Sequence, residues 1–566
     1  MRARSHSLRS SICILALVLN LAVLDLSIPN LSVLNLLDGV RFRRAGMCCK
    51  CYLQMHTVAT GSAASLIAWG AITAGPAFRV ASTVARLIRE PSVSDQAGFG
   101  PVLARALHHA LHHLEDVTHR PVCAWRELAH LRSRFDRALP QAGTDPVEVI
   151  DELVRDAEGG IVGSTSGRFF GWVIGGSLPA ALAADWLTSA WDQNAAIHAC
   201  GPAEAIIEEV AGKWLKDLFG LPRTASFAFV TGTQMAHVTC LAAARHRLLK
   251  RAGWDVEEQG MAGSPPVRLI TSRERHGSVE RAIRILGFGK RAVHALPADA
   301  QGRLDPISLT RALEESPEQP TIVLLQAGDL NIGAFDPFDE LIPIAHKQGA
   351  WVHVDGAFGL WVAASPKYRH LLRGAELADS WTNDGHKWLN TPFDCGYAFV
   401  ADAEAHRSAF SHRTSYRVDV GDARDQIDWN PEWSRRGRGV TTYAALRQLG
   451  RSGIADLIER TCTHAHALVM RIGSLPGAEV VWEPTINQGL VRFIDPRPGA
   501  TDADHDRRTD AVIARVVATG EAFFGGTTWR GRRSMRVSVC NWQTHATDVA
   551  RAVDATRRAL ANLAPE

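Results

Sequence analysis

The chain has 566 residues, of which 46% are hydrophobic and 21% charged, with a net charge of +3. That length exceeds one compact core, so a large domain with smaller segments is expected. The composition is that of a soluble globular protein, and the near-balanced charge gives no reason to expect nucleic acid or a membrane surface as partner.

Residues 1–95 differ in composition from the rest. Ile12–Leu24 is almost wholly apolar and follows Arg2, Arg4 and Arg9, as in a signal peptide or short anchor. Asn20, Asp25 and Pro29 interrupt or end the stretch, and no small-x-small cleavage site is evident. A five-residue rhythm runs through Asn20, Asp25, Asn30 and Asn35, and Met47 and Met55 offer later starts. Ala59–Ala81 is Ala/Gly-rich, but Gly61, Gly70, Gly75 and Pro76 argue against a spanning helix. The expectation is a disordered or mis-started leader rather than a membrane anchor. Cys48 and Cys51, with His56, have the only C-x-x-C spacing among ten cysteines. No second ligand pair follows, so no metal site is expected, and the later cysteines read as reduced core thiols of a cytoplasmic protein.

From about Gly100 the pattern becomes regular. Leu103–Val117, Ala124–Leu139, Ala180–Ala190 and Ala203–Phe219 read as helices. Short β-rich runs then alternate with helical ones. Strands are expected at Ser226–Val230, Arg268–Thr271, Ala292–Ala295, Thr321–Gln326, Ala350–Val354 and Gly396–Val400. Helices are expected at Met235–Arg251, Ser278–Leu286, Leu304–Glu315 and Phe338–Lys347. The alternation predicts an α/β fold with a doubly wound, largely parallel sheet. A long helix from Thr442 to Leu475 and antiparallel runs at Glu479–Glu483, Leu490–Ile494 and Met535–Cys540 suggest a smaller C-terminal α+β domain.

Two segments carry chemistry. In Trp351-Val-His-Val-Asp355-Gly-Ala357, a buried strand ends in a carboxylate, and ligands of open α/β sheets bind beyond the carboxyl ends of strands. Taken alone, Asp355 reads rather as an N-cap aspartate at a strand-to-loop junction. In Asp384-Gly-His386-Lys387-Trp388-Leu389, a lysine sits among apolar neighbours. A lysine held in an apolar pocket becomes a good amine nucleophile, although a single His-Lys pair is usually a surface feature.

Together, His-Val-Asp-x-Ala and Asp-x-His-Lys-Trp resemble the group II pyridoxal 5′-phosphate (PLP)-dependent amino acid decarboxylases, such as the aromatic L-amino acid and glutamate enzymes. The resemblance runs from about Asp145 to Asn541. It implies the fold type I PLP-dependent transferase architecture (aspartate aminotransferase-like), with a seven-stranded, mostly parallel sheet and helices on both faces. The implied domains are the leader (1–95), an N-terminal helical segment (96–205), a PLP-binding large domain (206–440) and a small domain (441–566).

The resemblance also implies roles. Lys387 looks like the Schiff-base lysine, and Asp355 like the partner of the protonated pyridine nitrogen, which makes the ring an electron sink. Ala357 matches the small residue beneath the ring, and His276 the imidazole stacked on its other face; the alternative for His276 is a histidine at a helix start. Thr233 and Gln234, in a Gly-containing turn before a helix, align with phosphate contacts. Gln234 departs from the family's small residues there. Asp384 and His386 match positions near the phosphate or the lysine, and Asn331 is a candidate for the cofactor's phenolic oxygen. Tyr416 matches the mobile-loop tyrosine that protonates the substrate α-carbon. Arg536 matches an arginine that pairs a substrate carboxylate, with a surface charge as the equal alternative. Phe169 lies in Ser166-Gly-Arg168-Phe-Phe-Gly-Trp172, which resembles the substrate-pocket segment with Ser-Gly in place of His-Pro. His198 is expected to line the same pocket.

The implied reaction is decarboxylation of an L-amino acid through an external aldimine and a quinonoid, releasing CO₂ and an amine. An aminotransferase or other PLP lyase is the alternative enzyme, and a PLP-binding protein without turnover the alternative outside catalysis. A homodimer with the active site at its interface is expected, with a small-molecule amino acid as substrate.

Overall fold

The structure is a computed structural model that describes residues 98–412 and 423–563. The leader and Tyr416 therefore lie outside the described residues. The chain divides into two compact units, Met1–Ala104 and Arg105–Glu566. Of the first, only residues 98–104 are described, and they lead into helix α1 (Phe99–Asp116).

The second unit continues with α2 (Leu128–Phe135), α3 (Pro146–Ala157), α4 (Pro179–Trp191) and α5 (Pro202–Phe219). Proline at the first helical turn starts α3, α4 and α5, where its missing N–H costs nothing. Asp145 caps α3 by accepting from the N–H groups of Val147 and Glu148. Helix α2 is shorter than its apolar pattern predicts. The residues before it pair with other backbone instead, Val122 N–H donating to Gly520 O and Trp125 N–H to Gly159 O, each at 2.9 Å. Helix α3 was not foreseen.

The central sheet is built from β1 (Ser226–Val230), β2 (Arg268–Ser272), β3 (Val293–Leu296), β4 (Thr321–Gln326), β5 (Trp351–Asp355), β6 (Ser380–Asp384) and β7 (Gly396–Val400). Its order is β1-β7-β6-β5-β4-β2-β3. All neighbouring pairs are parallel except those of β7, which runs antiparallel to β1 and β6. The carboxyl ends of the other six strands therefore meet at one edge. Helices α6 (Thr233–Arg251), α7 (Gly277–Ile285), α8 (Pro306–Glu314) and α9 (Phe338–Lys347) fill the connections. They cover both faces: α6 and α7 supply Leu241 and Ile283 to one apolar cluster, while α8 and α9 supply Leu309 and Leu341 to the other. Continuous burial along β1, β2, β4, β5, β6 and β7 explains their unalternating sequences.

After a short helix α10 (Ala403–Ser408) comes α11 (Gly439–Gly473). The predicted long helix is two helices joined at Gly450, whose φ of 60° lies in the left-handed region that glycine tolerates. A four-stranded antiparallel sheet follows, from β8 (Ala478–Trp482), β9 (Gln488–Phe493), β10 (Gly525–Trp529) and β11 (Arg532–Ser538), in the order β10-β11-β9-β8. Helices α12 (Asp502–Ala518) and α13 (Ala546–Ala561) share its apolar core through Val512 and Val553. No helix of the described residues is long and apolar enough to cross a membrane.

Candidate active site

Strand register assembles the site. Asp355, the last residue of β5, pairs with Gln326 of β4 and Thr382 of β6. Two residues beyond Thr382, Asp384 pairs with Gly396 of β7, which in turn pairs with Val230 of β1. A Cβ at Gly396 would lie 2.4 Å from Gly232 Cα, so only glycine there lets the turn after β1 close on Asp384. Asp384 Oδ1 then accepts the N–H of Thr233, the first residue of α6, at 2.6 Å.

Lys387 follows within one turn, and its Nζ lies 3.2 Å from Asp384 Oδ2 and 6.0 Å from the Phe358 ring centroid. Its neighbours are pinned. His386 stacks on Phe393 with centroids 4.4 Å apart, and its Nδ1 accepts the Cys395 N–H at 3.2 Å. Trp388 Nε1 donates to Thr461 Oγ1 at 2.9 Å. Asn390, with φ 57°, accepts from Gly176 N–H and Trp542 N–H and donates to Trp388 O and Cys540 O. A Cβ at Gly175 would lie 2.0 Å from Lys387 O, so glycine is required for that segment to pack against the lysine loop.

The electrostatics favour ionised carboxyls. Burial alone would raise Asp355, but His237 facing it, with His276 and Lys387 beyond, outweighs burial and leaves it well below the usual carboxylate range. Asp384 is shifted the same way: burial opposes, while His386, Lys387 and the Thr233 hydrogen bond prevail. Burial lowers His386.

The other residues singled out in the sequence fall as follows. Ala357 N–H donates to Asp355 Oδ1 at 3.1 Å, and its carbonyl accepts from Asp384 N–H at 3.0 Å, tying the two carboxylate segments together. His276 lies on the exposed side, starts α7 and accepts the Ser278 N–H through Nδ1. It is near enough to Asp355, Lys387 and Arg536 for their charges to act on its ring. Gln234 is half-buried, with Nε2 3.9 Å from Met235 Sδ. Asn331 Oδ1 accepts from Thr527 Oγ1 at 2.8 Å. Arg536 on β11 is 5% exposed, which removes the surface-charge alternative. Its Nη1 donates to Leu330 O at 2.9 Å, and burial pushes its guanidinium down to about 10. Phe169 stacks on Phe523 at 4.7 Å. His198 N–H donates to Asp425 Oδ1, and among the described residues no hydrogen bond or ion pair joins His198 to Lys387, Asp355 or His276.

A profile of the pyridoxal-dependent decarboxylase conserved domain matches residues 129–494. The chain belongs to the pyridoxal-dependent decarboxylase family. It is similar to the aromatic-L-amino-acid decarboxylase of Bacillus atrophaeus, with 25% identity over 76% of this chain and 89% of that one. It is also similar to tryptophan decarboxylase 1 of Oryza sativa subsp. japonica (29%, covering 71% and 82%) and to mouse cysteine sulfinic acid decarboxylase (27%, covering 71% and 84%). In fold it matches the crystal structure of Oryza sativa TDC with PLP and tryptamine, with a TM-score of 0.77 at 23% identity over 84% of this chain and 99% of that one.

As a family member the chain is a PLP-dependent amino acid carboxy-lyase. The site fits that cofactor on its own evidence. Thr233 Oγ1 is buried at the start of α6 without a hydrogen-bond partner, beside backbone N–H groups of a first helical turn, which together suit a phosphate. An amine at Lys387 and an ionised carboxylate at Asp355 suit an aldehyde and a protonated ring nitrogen. The sequence reading missed two residues of this decarboxylase site. His237 and His353 are buried beside Asp355, and their signal was their spacing: four residues after Thr233 on a helix, and two before Asp355 on a strand.

Proposed function

We propose that the protein removes the α-carboxylate of an L-amino acid, releasing CO₂ and the corresponding amine. The observation that carries this reading is the gathering of Lys387, Asp384 and Asp355 at one sheet edge, with Lys387 Nζ 3.2 Å from an ionised Asp384. PLP, when bound, supplies the electron sink for the pair left when the bond to the carboxylate breaks.

The chain's own residues do the rest. Lys387 would hold the cofactor through its amine, which Asp384 holds in place. Asp355 would hold the ring nitrogen, and Ala357 and His276 would contact the ring. Thr233, Gln234 and the start of α6 take the phosphate, and His386 closes the lysine loop beside it. Asn331, whose Oδ1 accepts from Thr527 Oγ1, would hold the phenolic oxygen through its amide N–H. Arg536 has no ion-pair partner among the described residues and meets the substrate carboxylate, while Phe169 and His198 line the substrate pocket. Tyr416 gives the proton to the substrate α-carbon, which suppresses transamination.

We read the active form as a homodimer. Exposed Leu107, Leu111, Trp186, Trp191 and Trp214 supply apolar surface that a partner would cover. The six described cysteines are all free, which supports a reducing, cytoplasmic setting. The test is incubation of holoenzyme with a panel of L-amino acids: amine and CO₂ are expected, and a keto acid without CO₂ overturns the reading. Light scattering of the purified holoenzyme tests the dimer.

A further inference from the structure

Asp355 has a second set of neighbours that the site's chemistry has not yet used. His237 on α6 and His353 on β5 are both fully buried. His237 Nε2 lies 3.4 Å from Asp355 Oδ2, long for a hydrogen bond, and has no other partner. His237 Nδ1 lies 2.9 Å from His353 Nε2, and His353 Nδ1 lies 2.8 Å from Ser380 Oγ. Trp351 Nε1 lies 2.9 Å from the same Ser380 Oγ. Five side chains from β5, β6 and α6 thus form one unbranched line.

The two ends fix its direction. An indole N–H only donates, and an ionised carboxylate only accepts. Trp351 Nε1–H must donate to Ser380 Oγ, and with both imidazoles neutral the Ser380 hydroxyl proton goes to His353 Nδ1. His353 then carries its proton on Nε2 and donates to His237 Nδ1. His237 in turn carries its proton on Nε2, facing Asp355. The three links from Trp351 to His237 are satisfied with both imidazoles neutral, and the His237 Nε2–H is then left facing Asp355 at 3.4 Å. Burial holds His353 well below the histidine range, in keeping with a neutral ring there. The other titratable groups facing the line are Cys240, which burial keeps as a thiol beside Ser380, and His276 and Lys387 on the cofactor side of Asp355.

We propose that Trp351, Ser380, His353 and His237 form a one-way hydrogen-bond chain that presents a neutral N–H to Asp355, making them positioning residues for the carboxylate that meets the cofactor's ring nitrogen. The proposal rests on the reading of Asp355 given above. A neutral donor orients the carboxylate and leaves its charge for the ring N–H. A charged imidazolium there would neutralise it and weaken that hold.

The test begins with the full-length apoprotein labelled with ¹⁵N-histidine. Two-bond ¹H–¹⁵N spectra, assigned with His237→Gln and His353→Gln, should show both histidines as neutral Nε2–H tautomers across roughly pH 6 to 8. A charged ring or an Nδ1–H tautomer at either position overturns the chain. PLP titration of the apoprotein supplies the second readout. His237→Leu should weaken PLP binding about tenfold, while His237→Gln, a neutral donor and acceptor, should stay within about threefold of wild type. Wild-type affinity in His237→Leu, or equal losses in both variants, overturns the proposal. Asp355→Asn separates this from the site reading. Unchanged PLP affinity in that variant overturns the reading of Asp355 and the proposal with it. Lowered affinity there with unchanged affinity in His237→Leu overturns the chain alone.

Discussion

The carboxyl edge of the seven-stranded sheet and the four-stranded sheet after it use charge in opposite ways. Around the smaller sheet, arginines are answered by aspartates: Arg492 by Asp502 and Asp506, Arg497 by Asp495 and Asp504, and Arg533 by Asp510. At the edge of the larger one, Thr233 Oγ1 is buried without a partner at the start of α6, and the Thr233 N–H is held by the buried Asp384. Buried polar groups are ordinarily satisfied, so an unpartnered hydroxyl beside the N–H groups that open a helix suits a ligand's phosphate. Substitutions at the edge should therefore remove function, and substitutions elsewhere should be felt as stability or not at all.

The largest effect is expected at Lys387. Lys387→Ala should lower kcat by about 10⁴-fold or more and abolish the borohydride-sensitive absorbance band of the holoenzyme. An unchanged band would remove Lys387 from the cofactor site. Tyr416→Phe comes next, with a fall in kcat of about 10²- to 10⁴-fold and a shift toward the carbonyl product of transamination. The product ratio is the sharper measurement, because a merely structural residue would lower both products together.

Much of the edge was legible because its chemistry is local in sequence. Asp355 and Ala357 are two residues apart, as are Asp384 and His386, and β5 is apolar at Trp351, Val352 and Val354. Strand β6 escaped notice because Ser380-Trp-Thr-Asn-Asp is polar at four of five positions, yet all five are buried. Its place is set by pairing with β5 and β7, which no local pattern encodes. Helices α12 and α13 carry many charged residues, and their apolar faces are clear only once the smaller sheet lies against them. Local spacing puts His237 on the Thr233 face of α6 and His353 on the Asp355 face of β5, but the two histidines are 116 residues apart, so it could not show that they meet. Arg536 needed its burial to be measured before the surface alternative could be set aside.

Away from the edge, the comparison turns on burial. Glu208 and Arg435 form a fully buried ion pair, Oε1 to Nη1 at 2.9 Å, and Glu208 also accepts the Gly439 N–H that opens α11. Glu208→Gln leaves the guanidinium buried without its counter-charge and should cost about 3–5 kcal/mol in denaturant unfolding. A loss below about 1 kcal/mol would mean water reaches the pair.

His406 gives a smaller effect that depends on pH. Its ring is fully buried, with Nδ1 2.7 Å from Ser226 Oγ and Nε2 2.9 Å from Trp429 O. Burial, with Arg424 nearby, lowers its pKa from 6.5 to about 3. Between those values the unfolded chain binds a proton that the folded one refuses, so stability falls as pH drops below about 6.5. The loss on this account is roughly 2 kcal/mol by about pH 5. His406→Gln cannot titrate, so its melting temperature should fall less steeply over that range; equal slopes would show that His406 does not govern acid sensitivity.

The smallest effect belongs to the answered charges. Arg533 and Asp510 meet at 2.7 Å with 31% and 55% of their side chains exposed. Water screens such a pair and competes for both partners, and holding two flexible side chains together costs entropy. Arg533→Ala should change stability by less than about 1 kcal/mol and leave decarboxylation at the wild-type rate. This substitution is the strictest check on the contrast between the two sheets, because Arg536 lies on the same strand three residues on. If Arg533→Ala lowers kcat as Arg536→Ala does, β11 acts on the site as a unit and the division between charge for structure and charge for chemistry fails there. If only Arg536→Ala does so, the division runs through a single strand and is set by which residues that strand buries against the Leu330–Asn331 turn.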